Sequence, residues 1–467
     1  MQISRALSRP AWSRALSKAT WPRALSTSSS ASPATVILGT GWGGYNLAKS
    51  LASPSNPITI ISPSNHFLFT PLLPSTTVGT LEFRAVQETI KASSFSQHAT
   101  FYQAKARTID FSRQLIECEG IFDKEKFFVP YGKLVMAQGV KTNTFNTPNV
   151  ADREGKEIFY LKHLHHARGI RNRTLELFEM AAYPTTGEAE RRRLLSFVVV
   201  GAGPTSCEYA SELNDFIQDD ISKMYPELME YTSIHLVEAG DQILGPFDQS
   251  LRDYISRLFT SRSIEVMTGT AVTAVETFEN PKYLHEGTRA VLSNGESIEF
   301  GLMVWSAGLA PVKFSDRIEG VEKTRAGRIV VDEYLRVKGH EGTVWAIGDA
   351  AEVQGNPLPQ LAQVAQQQGE YLGKVLSGGQ GESEAAWNYF SLGSMMSAGF
   401  GEGIYDGSGI GNPKGWQVSL PFNMRGFVAW LSWRSAYWGK QVSTQNKILI
   451  PMYWFKAWLF GRDVSRF

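Results

Sequence analysis

Cysteine is almost missing: Cys118 and Cys207 are the only two in 467 residues, and they stand far apart. That excludes a disulfide framework, a four-cysteine metal site and a CxxC or CxxxxC redox pair. Redox chemistry in this chain must come from a bound cofactor. A net charge of +1 gives no overall reason for nucleic-acid binding. No run reaches the ~18 consecutive apolar residues of a membrane-spanning helix. Acidic residues are also missing locally, with none before Glu82 and none between Asp406 and Asp463.

The first acid-free stretch sets Arg5, Arg9, Arg14, Lys18 and Arg23 among Ala, Leu and Ser. This is the composition of a mitochondrial presequence, assigned to residues 1–30 and set aside from the fold. The 43% hydrophobic remainder is ordinary globular chain, long enough for two or three domains of about 100–200 residues.

After the presequence, "ATVILGTGWGGYNLAKSL" (34–51) reads as a buried strand, a glycine turn and a helix, and "PITIIS" supplies the next strand. The pattern recurs in "LLSFVVVGAGPTSCEYASELNDFI" (194–217) followed by "YTSIHLVEAG", about 160 residues later. The fold class is therefore α/β, with two Rossmann-like dinucleotide-binding domains. A further segment begins near "SGGQGESEAA" (377–386), where composition turns aromatic and basic.

Gly39, Gly41 and Gly44 fit G-x-G-x-x-G between strand and helix. The first allows the turn, the second lets the backbone approach a pyrophosphate, and the third lets helix and strand pack closely. The second strand of this unit ends in Ser62 rather than an acid, which argues against a conventional NAD site. In the second unit Gly201 and Gly203 are kept, Ser206 takes the third position, and Glu238 stands where an acid accepts from the adenine-ribose hydroxyls and repels a 2′-phosphate. Two such sites, one without its ribose acid, suggest FAD in the first and NADH in the second. Asp349 of "AIGDAA" is then expected on the ribityl or phosphate side of the flavin.

Taken together, "GTGWGG", "FLFTPLLPSTTVGTLE" (67–82), "VVVGAGPTSCEYASEL", "AIGDAA", "LPQLAQVAQQQGEYL" and the ending "LFGRDVSRF" resemble the type II NADH:quinone oxidoreductases. These are single-subunit alternative NADH dehydrogenases of mitochondria and bacteria. The likeness runs from about residue 34 to the last residue. It implies two-electron transfer from NADH through non-covalent FAD to membrane ubiquinone, without proton pumping. It implies domains at 31–165 (FAD, first part), 166–302 (NADH), 303–376 (FAD, second part) and 377–467 (membrane anchor). Thr70 falls in the matching flavin-side segment. Gln363 and Gln367, four apart on one helix face, match the glutamines at the quinone side of the flavin ring. Glu208 matches a glutamate near the flavin, where burial would raise its pKa as a proton donor requires. The glycine usual before it is replaced by Ser206.

The second acid-free stretch carries Lys414, Arg425, Arg434, Lys440, Lys447, Lys456 and Arg462 among Trp430, Trp433, Trp438, Trp454 and Trp458. This reads as an interfacial amphipathic segment with indoles at the headgroup level and cations toward anionic lipid. A lipid surface would bring the flavin site to ubiquinone; aromatic and Arg enrichment also suits a dimer interface, and a homodimer is the family expectation. The expected place is the mitochondrial inner membrane, with the matrix face favoured. No nucleic acid and no metal is expected. His163, His165 and His166 lack acidic or thiolate company and are read as a solvated helix. No calcium loop of the EF-hand type is seen. Sulfide:quinone and dihydrolipoamide-type enzymes need a cysteine pair that this chain lacks. A different class, the NADH-binding signalling flavoprotein of the apoptosis-inducing-factor type, shares the folds but gives no reason for the glutamines or the anchor.

Overall fold

The computed structural model describes residues 34–279, 286–378, 385–411 and 423–466. The presequence, most of the "SGGQGESEAA" boundary and Lys414 lie outside the described residues. Pro33–Phe467 forms one compact unit.

Two sheets organise it. The first has seven strands in the order Val344–Ala346, Lys133–Met136, Thr35–Leu38, Ile58–Ser62, Ala99–Asp110, Leu115–Gly120 and Lys126–Pro130. The first five run parallel, and the last two continue as an antiparallel meander on the long fifth strand. The second sheet is parallel throughout, in the order Ile158–Tyr160, Leu302–Trp305, Ser196–Val200, Ser233–Val237 and Ile264–Met267. Thr35–Leu38 and Ser196–Val200 are buried, β-branched-rich runs, as strands of a covered parallel sheet should be. Each ends at its glycine turn, and the helices Trp42–Leu51 and Pro204–Phe216 follow.

The hydrogen bonds move the expected boundaries. Ile158–Tyr160, placed by sequence in the first unit, pairs with Met303–Trp305 of the second sheet. The expected break at 303 therefore falls inside the strand Leu302–Trp305. A three-residue strand has no periodicity to read, and only its partners assign it. The antiparallel pair Val140–Thr142 and Leu309–Pro311 carries the chain out of the first unit and back.

The segment after residue 385 is not a detachable appendage. Met396, Ala398 and Ile404, on and beside the hairpin strands Ser394–Ser397 and Gly403–Asp406, belong to the core of the second sheet. Trp433 and Ile450, on the helices Phe427–Gly439 and Thr444–Phe460, belong to the core of the first. Among the described residues, no helix is long and apolar enough to cross a membrane.

Candidate functional site

The first glycine turn assigns a separate task to each glycine. Gly39 has φ +109°, and a Cβ there would lie 2.4 Å from the Ala137 carbonyl oxygen. A Cβ on Gly44 would stand 2.1 Å from the Gly39 oxygen, so strand and helix touch only without side chains. Gly41 faces no atom within 4 Å and caps the helix Trp42–Leu51 without a side-chain hydrogen bond. The space beside the helix N-terminus is thus open at Gly41, as the close approach of a pyrophosphate requires. Ser62 is buried, with its Oγ 3.0 Å from Thr40 Oγ1, and it accepts the Ser64 N–H at 3.2 Å. Its hydroxyl holds the loop together. Beyond it, Pro63–His66 and Gln103 form one wall of a cavity of about 910 Å³, whose other wall includes Arg84, His163 and Arg168. Thr70 Oγ1 accepts the Trp42 indole N–H at 3.0 Å. Burial pushes the Asp349 carboxyl up, opposed by Lys162 and Arg328 nearby.

His163 and His165 are exposed, and His166 alone departs from the solvated helix expected of the three. His166 is buried; its Nδ1 accepts the His163 N–H at 3.1 Å and its Nε2 lies 3.3 Å from Glu154. It closes the N-terminus of the helix Leu164–Ala182.

In the second turn Gly203 faces open space, and a Cβ on Gly201 would meet Ala307 Cβ at 3.0 Å. Ser206, in the third position, is fully buried with its Oγ 2.6 Å from Ser306 Oγ. The serine fits because a partner hydroxyl waits at the end of the neighbouring strand. Glu238 accepts the Ala202 N–H at 2.6 Å and the Gly240 N–H at 2.7 Å, one on each oxygen. It braces the glycine turn as well as marking the strand end.

Glu208 sits one turn along the same helix, only 8% exposed. Its Oε1 accepts the Ser397 N–H and the Trp433 indole N–H, both at 3.1 Å. Burial outweighs these bonds and pushes its pKa up to about 8, and neighbouring Glu212 adds to the rise. Glu212 accepts from Ser75 Oγ and Thr80 Oγ1 at 2.7 Å each. Asp215 accepts the Phe400 N–H at 2.7 Å. Arg462 answers this acidic row, donating to Asp220 at 2.8 Å and Thr80 at 2.9 Å, with Glu212 at 3.9 Å. Sequence reasoning missed Glu212, Asp215 and Ser397, and it gave Trp433 to the lipid surface rather than to Glu208. The acids at 208, 212 and 215 share one helix face, and that spacing was the available signal.

Gln363 and Gln367 do lie on one face of the helix Ala362–Leu376, but both amides are engaged. Gln363 accepts the Leu392 N–H at 3.1 Å and donates to the Gly393 carbonyl at 3.2 Å. Gln367 accepts the Phe390 N–H at 3.0 Å and donates to the Phe390 carbonyl at 2.7 Å. Together they pin the strand-like segment 390–393 to the helix. Of the five tryptophans expected at a lipid surface, Trp430 and Trp433 are buried and only Trp438 and Trp458 are well exposed. Arg434 is sandwiched, its guanidinium carbon 4.1 Å from the Trp430 ring centre and 4.6 Å from that of Trp454. Arg434 and Arg462 thus face inward, where acids and rings await them, while Lys440, Lys447 and Lys456 are exposed.

The family description "Pyridine nucleotide-disulphide oxidoreductase" matches residues 33–369, and "NDH2 C-terminal domain" matches residues 408–463. A Dictyostelium discoideum protein named "Probable NADH dehydrogenase" is 38% identical over 440 residues, covering 92% of this chain and 91% of that one. The chain belongs to the type II NADH dehydrogenases. Also similar to this type II NADH dehydrogenase is a Solanum tuberosum "Internal alternative NAD(P)H-ubiquinone oxidoreductase A1, mitochondrial", 36% identical over 94% of this chain and 89% of its own. A Saccharomyces cerevisiae "External NADH-ubiquinone oxidoreductase 2, mitochondrial" is 33% identical over 92% and 82%. The solved structure of Plasmodium falciparum NDH2 in complex with NADH superposes with a TM-score of 0.82 over 93% of this chain and all of that one. At 23% identity that likeness speaks to the fold.

Proposed function

We propose that this type II NADH dehydrogenase catalyses NADH + H⁺ + ubiquinone → NAD⁺ + ubiquinol through non-covalent FAD, without pumping protons. The observation that carries the reading is the pairing of two open glycine turns, one with and one without a ribose acid, on a chain whose relatives carry NADH and ubiquinone in their names.

The first turn fits a flavin dinucleotide. Gly39, Gly41 and Gly44 make the pyrophosphate cradle, Ser62 supports it, and Thr70 and Asp349 flank the ribityl and ring end. When bound there, FAD supplies the two-electron acceptor chemistry that no side chain of this protein has. Gly201, Gly203 and Glu238 hold NADH, and the bidentate bracing by Glu238 keeps its carboxylate in place against a 2′-phosphate. Glu208 holds a proton at neutral pH on Oε2, the oxygen that takes neither the Trp433 nor the Ser397 N–H, and it is the chain's own proton source for quinol formation. Gln363 and Gln367 fix the segment 390–393 and so shape the quinone approach.

Phe427, Val428, Leu431, Met452, Phe455, Trp458, Leu459 and Phe460 are all exposed on the two last helices, a concentration that supports docking on a lipid surface. The same reading places the enzyme as a homodimer on the mitochondrial inner membrane. The arginine-rich start of the chain, with no long hydrophobic stop-transfer run after it, supports the matrix face. None of the compared relatives favours the signalling flavoprotein.

The test is reconstitution into liposomes with a short-tailed ubiquinone and an internal pH dye. NADH oxidation coupled to quinone reduction, with no pH gradient, supports the proposal; NADH oxidation that ignores quinone refutes it.

A further inference from the structure

The two-stranded connection between the sheets leads into a strained turn. Thr147 donates its N–H to the Thr144 carbonyl at 2.9 Å, and the two central residues, Phe145 and Asn146, have φ of +52° and +57°. Bulky L residues rarely hold such a conformation, and where they do the surroundings over-determine it. Here Asn143 is the clamp. Its Oδ1 accepts the Phe145 N–H at 2.9 Å, its carbonyl accepts the Trp305 indole N–H at 3.0 Å, and its N–H donates to the Gly308 carbonyl at 3.3 Å. The turn is thereby fixed to the end of the strand Leu302–Trp305.

What the strain delivers is a ring. Phe145 is 61% exposed, yet it lies over Gly308, where an added Cβ would stand 2.5 Å from Phe145 Cζ. Gly308 adjoins Ala307, and Ala307 touches the second glycine turn at Gly201. Ring, Gly308, Ala307 and turn form one continuous wall. Sheet order gives this wall a direction: Ser196–Val200, which ends at the glycine turn, has Ser233–Val237 with Glu238 on one side and Leu302–Trp305 on the other. With the adenine ribose at Glu238, the opposite half of the dinucleotide runs toward Ala307, Gly308 and Phe145.

We propose that Phe145 is a positioning residue for NADH, its ring forming the apolar wall against which the nicotinamide half packs. This rests on the NADH assignment made above. The benefit is in orientation, because the nicotinamide must be held at one angle to the flavin site for productive transfer.

The test is isothermal titration of NAD⁺ into the oxidised, FAD-loaded protein, which reads binding without turnover. Phe145→Ala and Phe145→Gly are expected to weaken NAD⁺ binding about three- to tenfold, and Phe145→Tyr to stay within about twofold of wild type. Glycine relaxes the turn while deleting the ring, so it separates the ring from the backbone strain. Reoxidation of the reduced protein by quinone should be unchanged in all three. Wild-type affinity in Phe145→Gly, or a loss in Phe145→Tyr equal to that in Phe145→Ala, would overturn the proposal. Failure of the NADH assignment itself looks different: the wild-type protein would neither bind NAD⁺ nor be reduced by NADH.

Discussion

Glu208 and Trp433 are 225 positions apart in sequence and joined by one hydrogen bond, the indole N–H donating to Oε1 at 3.1 Å. The Ser397 N–H uses the same oxygen, which leaves Oε2 free of the two donors to carry a proton. A helix of the second nucleotide unit is thus tied at its buried acid to the last third of the chain. With its pKa near 8, Glu208 is mostly protonated at neutral pH.

Glu208→Gln keeps an acceptor for both donors but cannot release a proton. Quinone-dependent reoxidation should fall about 100-fold while reduction by NADH is retained. In wild type that reoxidation should decline as pH rises through 8, and the variant should lack this limb. Stability follows the same group. Its folded pKa is raised above the usual 4.5, so between pH 4.5 and about 8 the folded state binds the extra proton. Stability therefore decreases as pH rises across that window, and Tm between pH 6 and 9 should drop more in wild type than in Glu208→Gln.

Glu238→Gln loses one of two acceptors and turns an amide N–H toward the N–H of Ala202 or Gly240. The KM for NADH should rise about tenfold, with little change for NADPH, so the preference narrows. Steady-state kinetics with both nucleotides measures this; an unchanged ratio removes Glu238 from nucleotide choice.

Gln367→Leu removes both hydrogen bonds to Phe390. Amide exchange at Phe390 should accelerate about tenfold or more, and quinone reduction should slow with NADH-driven reduction intact. Equal slowing of both half-reactions would make the glutamine a general support of the fold.

Removing the whole C-terminal segment is a poor test of lipid docking, because it strips Ser397 and Trp433 from Glu208 and Arg462 from Asp220. The combined variant Phe455→Ser, Trp458→Ser and Phe460→Ser changes side chains that are 58%, 65% and 78% exposed. It should reduce by themselves the apolar contacts available to a bilayer. The variant should stay behind when liposomes with anionic lipid are floated, with reduction by NADH unchanged. Flotation equal to wild type would place the docking surface elsewhere.

The glycine turns and Glu238 were legible because strand, turn, helix and acid fall within one short local pattern whose chemistry depends on backbone shape. The neighbours of Glu208 were not, since Ser397 and Trp433 arrive from 189 and 225 positions away. Ser206 looked like a departure until Ser306, 100 positions on, supplied its partner. The last two helices are apolar on nearly every face, so periodicity cannot say which tryptophans point inward. Trp430 and Trp433 went to the core and Trp458 to the surface for reasons of packing alone. The glutamines were placed on the right helix, but nothing local foretold that their amides would clasp the backbone at 390–393.

The central claim, electron transfer from NADH to quinone through the first glycine-turn unit, is tested most directly by anaerobic stopped-flow absorbance on the FAD-loaded protein. NADH is mixed first, and a short-tailed ubiquinone second. Rapid bleaching of the flavin band followed by its rapid return on quinone is the predicted result. Rapid bleaching with a flavin that stays reduced in the presence of quinone would contradict it.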